Sequence, residues 1–359
     1  MSSRSRCLII ILNVVAAAVV SASVAQAKTV EVLSPVYEIK TKYRSMKGPQ
    51  STQAFSFPEK PGELVWVTGY RAVMVGEDGQ TVMPQEFMCH SNLDYDFGRH
   101  RELFGWTKKT SVRLFTLSQG QFDIQFPKGF GVPMLADEKF SLTTQVLNLN
   151  LENPDVKVRH RVNIDYERDE DLREPMKPLF MLAAMGMVLV KGDSPYYNLP
   201  EADAAKHGSG CLIGTSASSS SYKDSSGRVF TGHWVVKPGR EVNHTLATHY
   251  MNLPFDTTVH YIAVHLHPFA ESIELKDLTT KKTVFKSHVK APRAKIGIES
   301  VDYFSSDKGI PLYKDHEYEV TSTYNNTTKV EQDSMAVMFL YLLDKEFKKP
   351  QRSPAVTAG

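Results

Sequence analysis

Three histidines, His260, His265 and His267, lie in one apolar stretch of the chain, Val259–Ala270. Side chains alternate along a β-strand, so His265 and His267 point to the same face and His260 to the other, unless a bulge intervenes. Two imidazoles on one face usually share a metal ion, a carboxylate or water as a partner. A pair of strand histidines near the surface, satisfied without a metal, is the simpler alternative.

A third ligand is needed to identify a metal. H-x-H on a strand occurs in copper, zinc and iron sites. A candidate third ligand is Met335, in the alternating segment Asp333–Tyr341. By default a methionine here fills the core, but as a ligand its soft thioether sulfur suits copper, especially Cu(I). From these residues alone, core packing of Met335 is the default, and His265, His267 and Met335 are a candidate copper site only if the sulfur is a ligand.

Most of the chain reads as short strands. We find no long helical period, and the apolar run Leu179–Val190 is too short to span a bilayer, so it predicts a buried strand or strand pair. Alternating segments bounded by turn residues predict an all-β fold with two tandem antiparallel β-sandwich, jelly-roll-like domains. These segments are Phe122–Phe126, Phe140–Leu151, Val156–Tyr166, Val229–Val236, Val259–His267, Tyr318–Tyr324 and Met335–Leu343.

The chain begins with the pattern of a secretory signal peptide, residues 1–27. Arg4 and Arg6 precede the apolar run Cys7–Val20, and Ala25–Ala27 is a small-x-small cleavage site. We therefore expect a secreted or periplasmic protein that is not an integral membrane protein after cleavage. Composition divides the remainder into an N-terminal β-sandwich domain (28–170), an inter-domain segment with a Ser-rich loop (171–227), a C-terminal copper-binding β-sandwich domain (228–345) and a disordered tail (346–359).

Charge and cysteine content exclude some classes of function. Lys and Arg number 42 and Asp and Glu 40, so the net charge of +2 gives no electrostatic case for a nucleic-acid partner. Cys7 leaves with the signal peptide, and Cys89 and Cys211 could pair in an exported chain.

Several motifs together resemble the ascorbate-dependent type II copper monooxygenases, the peptidylglycine α-hydroxylating and dopamine β-monooxygenases. Val264–His267 is similar to the V-H-x-H strand of their second domain, and Asp333–Met335 to its D-x-M segment. In the first half, Phe126–Gly131 and Thr144–Val146 are similar to the F-P-K and Q-V-H-Y segments. The resemblance implies that the two histidines and the methionine hold the oxygen-activating copper.

The chain departs from the family at the second, electron-donating copper. An adjacent His-His pair and the histidine of Q-V-H-Y hold that ion in the family. Here those positions read Met88-Cys89-His90 and Leu147, so only His90 remains of the three expected histidines. We expect this site to be lost or remodelled. Cys89 and His90 form a possible second metal site that Met88 or His100 could assist, and a buried or disulfide-bonded Cys89 is the alternative.

The family's substrate anchors are also absent. The residue two before the first histidine is Ala263 instead of Arg, and Val337 and Phe339 replace an Asn and a Tyr. Because Ala cannot make the bidentate bonds of Arg to a carboxylate, a C-terminal glycine peptide is not expected as the substrate. The apolar surroundings indicate a small apolar molecule.

Three functions stay open. The first is an exported copper monooxygenase that hydroxylates a small apolar substrate with O₂ and an external reductant such as ascorbate. The second is a non-catalytic copper carrier, store or sensor that exchanges the ion with a copper donor or acceptor. The third is a structural or partner-binding sandwich. We expect one copper ion, or two if Cys89 and His90 bind metal.

Overall fold

The computed structural model describes residues 27–45, 47–108, 110–189, 221–223 and 229–350. The predicted signal peptide up to residue 26, Cys211, most of the Ser-rich stretch and the tail from residue 351 lie outside these ranges. Within them, no helix is long and apolar enough to cross a membrane.

In the described ranges, the first half of the chain contains ten strands and one short α-helix, α1 (Phe97–Phe104). The strands are β1 (Lys28–Leu33), β2 (Tyr37–Ile39), β3 (Gln50–Phe55), β4 (Leu64–Gly76), β5 (Met88–Tyr95), β6 (Arg113–Ser118), β7 (Asp123–Gln125), β8 (Phe130–Leu135), β9 (Phe140–Val146) and β10 (Val156–Arg168).

The second half contains fourteen further strands in the described ranges and a single helical turn, α2 (Thr248–Met251). The strands are β11 (Lys177–Met185), β12 (Val188–Leu189), β13 (Ser221–Lys223), β14 (Val229–Thr231), β15 (Trp234–Val236), β16 (Gly239–Leu246), β17 (Thr257–Leu266), β18 (Ala270–Asp277), β19 (Lys282–Lys290), β20 (Ser300–Val301), β21 (Phe304–Leu312), β22 (Tyr318–Asn326), β23 (Gln332–Ser334) and β24 (Ala336–Leu343).

One large sheet runs through both halves, in the order β1-β10-β4-β8-β11-β24-β17-β21, with β2 and β7 paired at its side. A four-stranded sheet, β3-β9-β5-β6, belongs to the first half, and a five-stranded sheet, β16-β22-β18-β19-β20, belongs to the second. The halves join where β8 pairs in parallel with β11, Phe130 opposite Lys177. The other pairs of the large sheet are antiparallel, so the predicted all-β class of jelly-roll-like sandwiches is confirmed.

The alternation of side chains along β24 divides the interior into two cores. Val337, Phe339 and Tyr341 pack into the core shared with the first half. Ala336, Met338 and their neighbours on the other face pack into the core of the second half. One face of β24 therefore looks directly onto the first half, and the Tyr341 hydroxyl donates to the carbonyl of Leu114 on β6 at 2.9 Å.

The buried strand expected within Leu179–Val190 is present as β11, which pairs with β24 and so makes part of the predicted inter-domain segment a strand of the large sheet. The segment Val229–Val236, expected as one strand, is divided between β14 and β15. Helix α1 was not predicted because it is too short to show a helical period. Its ends do carry sequence signals: Asp96 accepts from the Arg99 amide at its start, and Gly105 has a left-handed φ of 59° at its end.

Candidate metal centre

The H-x-H pair sits at the end of β17 and faces the first half of the chain. His265 lies opposite Val337 in the antiparallel pair of β17 with β24, and residues directly opposite each other share a face. Since Val337 belongs to the core shared with the first half, His265 and His267 point the same way. Both are buried, with 4% and 3% of their surfaces exposed.

His265 is tied to the first half by a direct contact. Its Nδ1 lies 3.0 Å from the Ser118 hydroxyl at the end of β6. Burial lowers the pKa of His265 well below its usual range, and the neighbouring charge of His267 lowers it further. The imidazole is therefore neutral at pH 7, the form in which a histidine can bind a metal.

His267 has a carboxylate partner. Its Nδ1 lies 3.4 Å from Oδ2 of Asp333 and 3.3 Å from the carbonyl oxygen of the same residue. Burial lowers the pKa of His267, but the hydrogen bond and charge of Asp333 outweigh burial, and the net shift is upward. In the neutral form of the ring, with Nδ1–H donating to Asp333, the other ring nitrogen, Nε2, is left for a metal ion.

A third histidine, His233, completes a compact group. One ligand atom from each of His233, His267 and Asp333 lies within 4.8 Å of the other two. The rings of His233 and His267 are 5.8 Å apart, and those of His265 and His267 are 5.3 Å apart. The pair of β15 with β23 brings His233 and Asp333 together, since Trp234 lies opposite Ser334.

Met335 is placed by the same strand pairs. Trp234 lies opposite Ser334 on one side, and Leu266 lies opposite Ala336 on the other. Continued by one residue, these two registers set Met335 opposite both His233 and His267. Met335 is 1% exposed and belongs to the core that faces the first half.

Cys89 and His90 approach the same region from the first half. The register of β5 with β9 shifts between Met88 and His90, which makes Cys89 the extra residue of a β-bulge. Bulges re-aim side chains. His90 lies opposite Ser118, the residue that contacts His265. The predicted second site is therefore a neighbour of the first, across the junction between the halves.

Electrostatic interactions link these groups as well. Burial and Asp333 have the larger effects on the pKa of His267, and Cys89 adds a smaller upward contribution. Burial and His267 have the larger effects on the pKa of His265, and His90 lowers it further. We call His233, His265, His267, Asp333, Met335, Cys89 and His90 the junction cluster. Cys89 is 5% exposed and His90 is fully buried, and a pairing of Cys89 with Cys211 lies outside the described residues.

Other singled-out residues lie elsewhere. Met88 packs in the first core, and His100 contacts Glu138 at 2.9 Å. His260 lies at a bulge in β17, where its Nδ1–H donates to the Ser306 carbonyl at 2.9 Å and its Nε2 accepts from the Thr258 hydroxyl at 2.7 Å. Its pKa is lowered by burial. The bulge explains why His260, the third histidine of Val259–Ala270, has hydrogen-bond partners separate from those of His265 and His267.

Sequence reasoning missed two members of the cluster as ligands. His233 had no ligand spacing to other histidines in the chain, and Asp333 was noted only as part of the D-x-M segment. The available signal was the pairing of their two short strands, which sequence spacing does not show. The substrate-anchor positions Ala263, Val337 and Phe339 are all buried and apolar.

Comparisons with known proteins leave the function open. No protein-family profile matches this sequence, and no curated protein sequence matches it. A crystal structure of peptide-N(4)-(N-acetyl-β-D-glucosaminyl)asparagine amidase is similar with a TM-score of 0.36 and 8% identity, covering 90% of this chain and 99% of that one. The major capsid protein P2 of bacteriophage PM2 is similar with a TM-score of 0.30 and 7% identity, covering 88% and 100%. Likenesses this distant indicate nothing about activity.

Proposed function

We propose that this chain is a copper-binding protein that holds the ion in the junction cluster. The observation that carries the proposal is the mutual approach of His233, His267 and Asp333, whose ligand atoms lie within 4.8 Å of one another, with both histidines buried and Asp333 half-buried. Buried polar groups are costly unless they are satisfied. A metal ion bound by these three residues would satisfy them together.

Copper is the preferred ion because of the sulfur donors beside the triad. Two histidines and one carboxylate alone also suit iron or zinc. Met335 lies between His233 and His267 in the strand registers, and Cys89 lies across the junction. Thioether and thiolate donors shift the preference toward copper, Cu(I) in particular.

The activity that we propose is a monooxygenase-type hydroxylation of a small apolar molecule, in line with the resemblance of the H-x-H and D-x-M motifs. A bound copper ion would supply the oxygen chemistry, while the chain sets the ligand positions and excludes water. The positions Ala263, Val337 and Phe339 are apolar and provide no group that would bind a substrate carboxylate.

Copper carriage or storage is a second candidate. The observation that favours it is the position of Cys89 and His90, which lie against the first site instead of forming a distant second one. A single closed cluster of protein donors is typical of ions that are held, whereas catalytic sites keep a position open. An exported location, expected from the leader, fits either function.

Metal content of the purified protein tests the proposal. The wild type and His233→Ala, His267→Ala and Met335→Leu variants are loaded in parallel with copper, zinc and ferrous iron, dialysed and analysed for bound metal. His244→Ala is the matched control, because His244 is exposed and pairs with Glu319 on the far sheet. We expect one copper per wild-type and control chain and loss in the two histidine variants.

Reductant-dependent oxygen uptake by the copper-loaded protein then separates the two candidates. Uptake that requires an added apolar substrate supports hydroxylation, and a copper-loaded protein that consumes no oxygen supports carriage. Zinc or iron retained in preference to copper would show that copper is not the ion that this site prefers. No retained metal of any kind would overturn the metal site itself.

A further inference from the structure

A surface pocket lies at the junction of the two halves, directly beside the cluster. Its volume is about 380 Å³, within the range of about 300–1,000 Å³ that small-molecule sites occupy. Lys42, Tyr43 and Arg44 line it from the first half, and Phe269 and Asp333 line it from the second. Residues of both halves therefore line the pocket, and one of them, Asp333, is a member of the junction cluster.

Asp333 is the link between the pocket and the buried histidines. Its side chain is 15% exposed, whereas that of His267 is 3% exposed. His233 is fully buried. Of the three clustered ligand residues, Asp333 is thus the one that lines the pocket, and a molecule in the pocket adjoins this residue.

The pocket walls are held in place by hydrogen bonds between the halves. The Asn150 amide donates to the Ile296 carbonyl at 3.0 Å, and the Ile296 amide donates to Asn150 Oδ1 at 2.9 Å. Tyr43 and Asn148 exchange two backbone hydrogen bonds on the first-half side. Backbone segments that are already held in place lower the ordering cost of binding a ligand.

Phe269 occupies a strained turn that ends β17. Its φ is 74°, in the left-handed region that a bulky residue adopts only when the surroundings impose it. The Ala270 amide donates to the His267 carbonyl at 3.3 Å, and the Phe269 carbonyl accepts from Asn325 at 2.8 Å. This turn connects a half-buried ring in the pocket lining to the strand end that carries His267.

The lining combines apolar rings with positive charge. Tyr43 and Phe269 are both half-buried, each packed against a different core. Lys42 is ion-paired with Glu152, and Arg44 has no ion pair among the described residues. Guanidinium groups bind carboxylates with two parallel hydrogen bonds, and aromatic rings stack on flat apolar groups.

We infer that this pocket binds a small organic anion with a flat apolar body, an aryl carboxylate being the simplest member of the class. The ring lies between Tyr43 and Phe269, the carboxylate contacts Arg44, and the ligand adjoins Asp333. Binding itself does not depend on the proposed function. Its coupling to a metal does, because an ion at Asp333 neutralises the one negative charge in the lining and strengthens anion binding.

Calorimetric titration of the full chain with benzoate tests the inference, with neutral benzamide as the isosteric probe. We expect benzoate to bind about tenfold more tightly than benzamide, and Arg44→Gln to weaken benzoate binding about fivefold without changing benzamide binding. Lys314→Gln is the charge-matched control. Lys314 is exposed and adjoins Asp256 at the opposite end of β17 from His267. Phe269→Ala is expected to weaken binding of both probes.

The same titration on metal-free and copper-loaded protein separates the two proposals. Benzoate binding that depends on Arg44 in a protein that retains no copper supports the pocket and removes the metal site. Copper retention without benzoate binding supports the metal site and removes the pocket proposal. Equal affinities for benzoate and benzamide, or equal effects of Arg44→Gln and Lys314→Gln, would overturn the inference.

Discussion

Two groups of buried histidines in the described part of the chain differ in whether their rings converge. His100 and His260 contact partners other than histidine: Glu138 for the first, and Ser306 with Thr258 for the second. His265 and His267 also have partners, Ser118 and Asp333, but their ring centroids lie 5.3 Å apart, and His233 lies 5.8 Å from His267. The fold alone explains the first group, whereas the convergence of three rings in the second is the feature for which we propose a shared ion.

The largest expected effect is on metal binding. His267→Ala removes the residue common to the triad and the H-x-H pair, and we expect copper affinity to fall on the order of a thousandfold, ~4 kcal/mol. Competition with a chelator of known affinity measures the change. His260→Ala is the control, because His260 lies outside the junction cluster. A similar fall in copper affinity in a folded His260→Ala protein would show that the converging histidines have no special role in binding copper.

The separately partnered histidines should act on stability instead. His100→Ala leaves the buried Glu138 side chain with the Leu135 amide as its remaining hydrogen-bond partner among the described residues. Removing a hydrogen-bond partner from a buried carboxyl group costs about 3 kcal/mol. Urea unfolding measures this loss, with the exposed neighbour Arg99→Ala as the control. Copper content should stay unchanged, and a simultaneous loss of copper would contradict the division into two kinds.

His160 gives a third, intermediate case. It is fully buried in the first core, opposite Met74 on β4, and neither ring nitrogen has a hydrogen-bond partner among the described residues. Burial lowers its pKa from 6.5 to about 3. Since the folded-state pKa lies below the unfolded one, this residue's contribution to stability is present above pH 6.5 and is lost as the pH falls toward 3.

His160→Leu should therefore remove part of the acid sensitivity. Between pH 7 and pH 5 the wild type should lose about 2 kcal/mol more unfolding free energy than the variant. Chemical denaturation at the two pH values measures the difference. His288→Leu, at an exposed position, is the control, and equal pH dependence of wild type and His160→Leu would show that His160 is not buried as a neutral ring.

The smallest expected effect concerns the identity of the metal. Met335→Leu keeps an apolar side chain of similar size, and we expect Cu(I) affinity to fall about tenfold while zinc affinity is unchanged. Met338→Leu is the matched control, since Met338 lies on the opposite face of β24, in the other core. Equal behaviour of the two variants would assign Met335 to packing.

Local patterns in the chain were sufficient for the fold class and for part of the site. The period of two along strands such as β10 and β17 is a property of neighbouring residues, so it is readable without tertiary structure. For the same reason the shared face of His265 and His267 followed from their spacing. The expected β-sandwich architecture was confirmed, while the copper ligands remain predictions.

Only the tertiary structure decided which residues meet. His233 and Asp333 are a hundred residues apart in the chain and come together because β15 pairs with β23. His90 reaches the same junction because it lies opposite Ser118, which contacts His265, and Cys89 precedes it at a bulge in β5. Strand pairing and bulges are set by long-range packing of the two cores, and no spacing within a single strand encodes them.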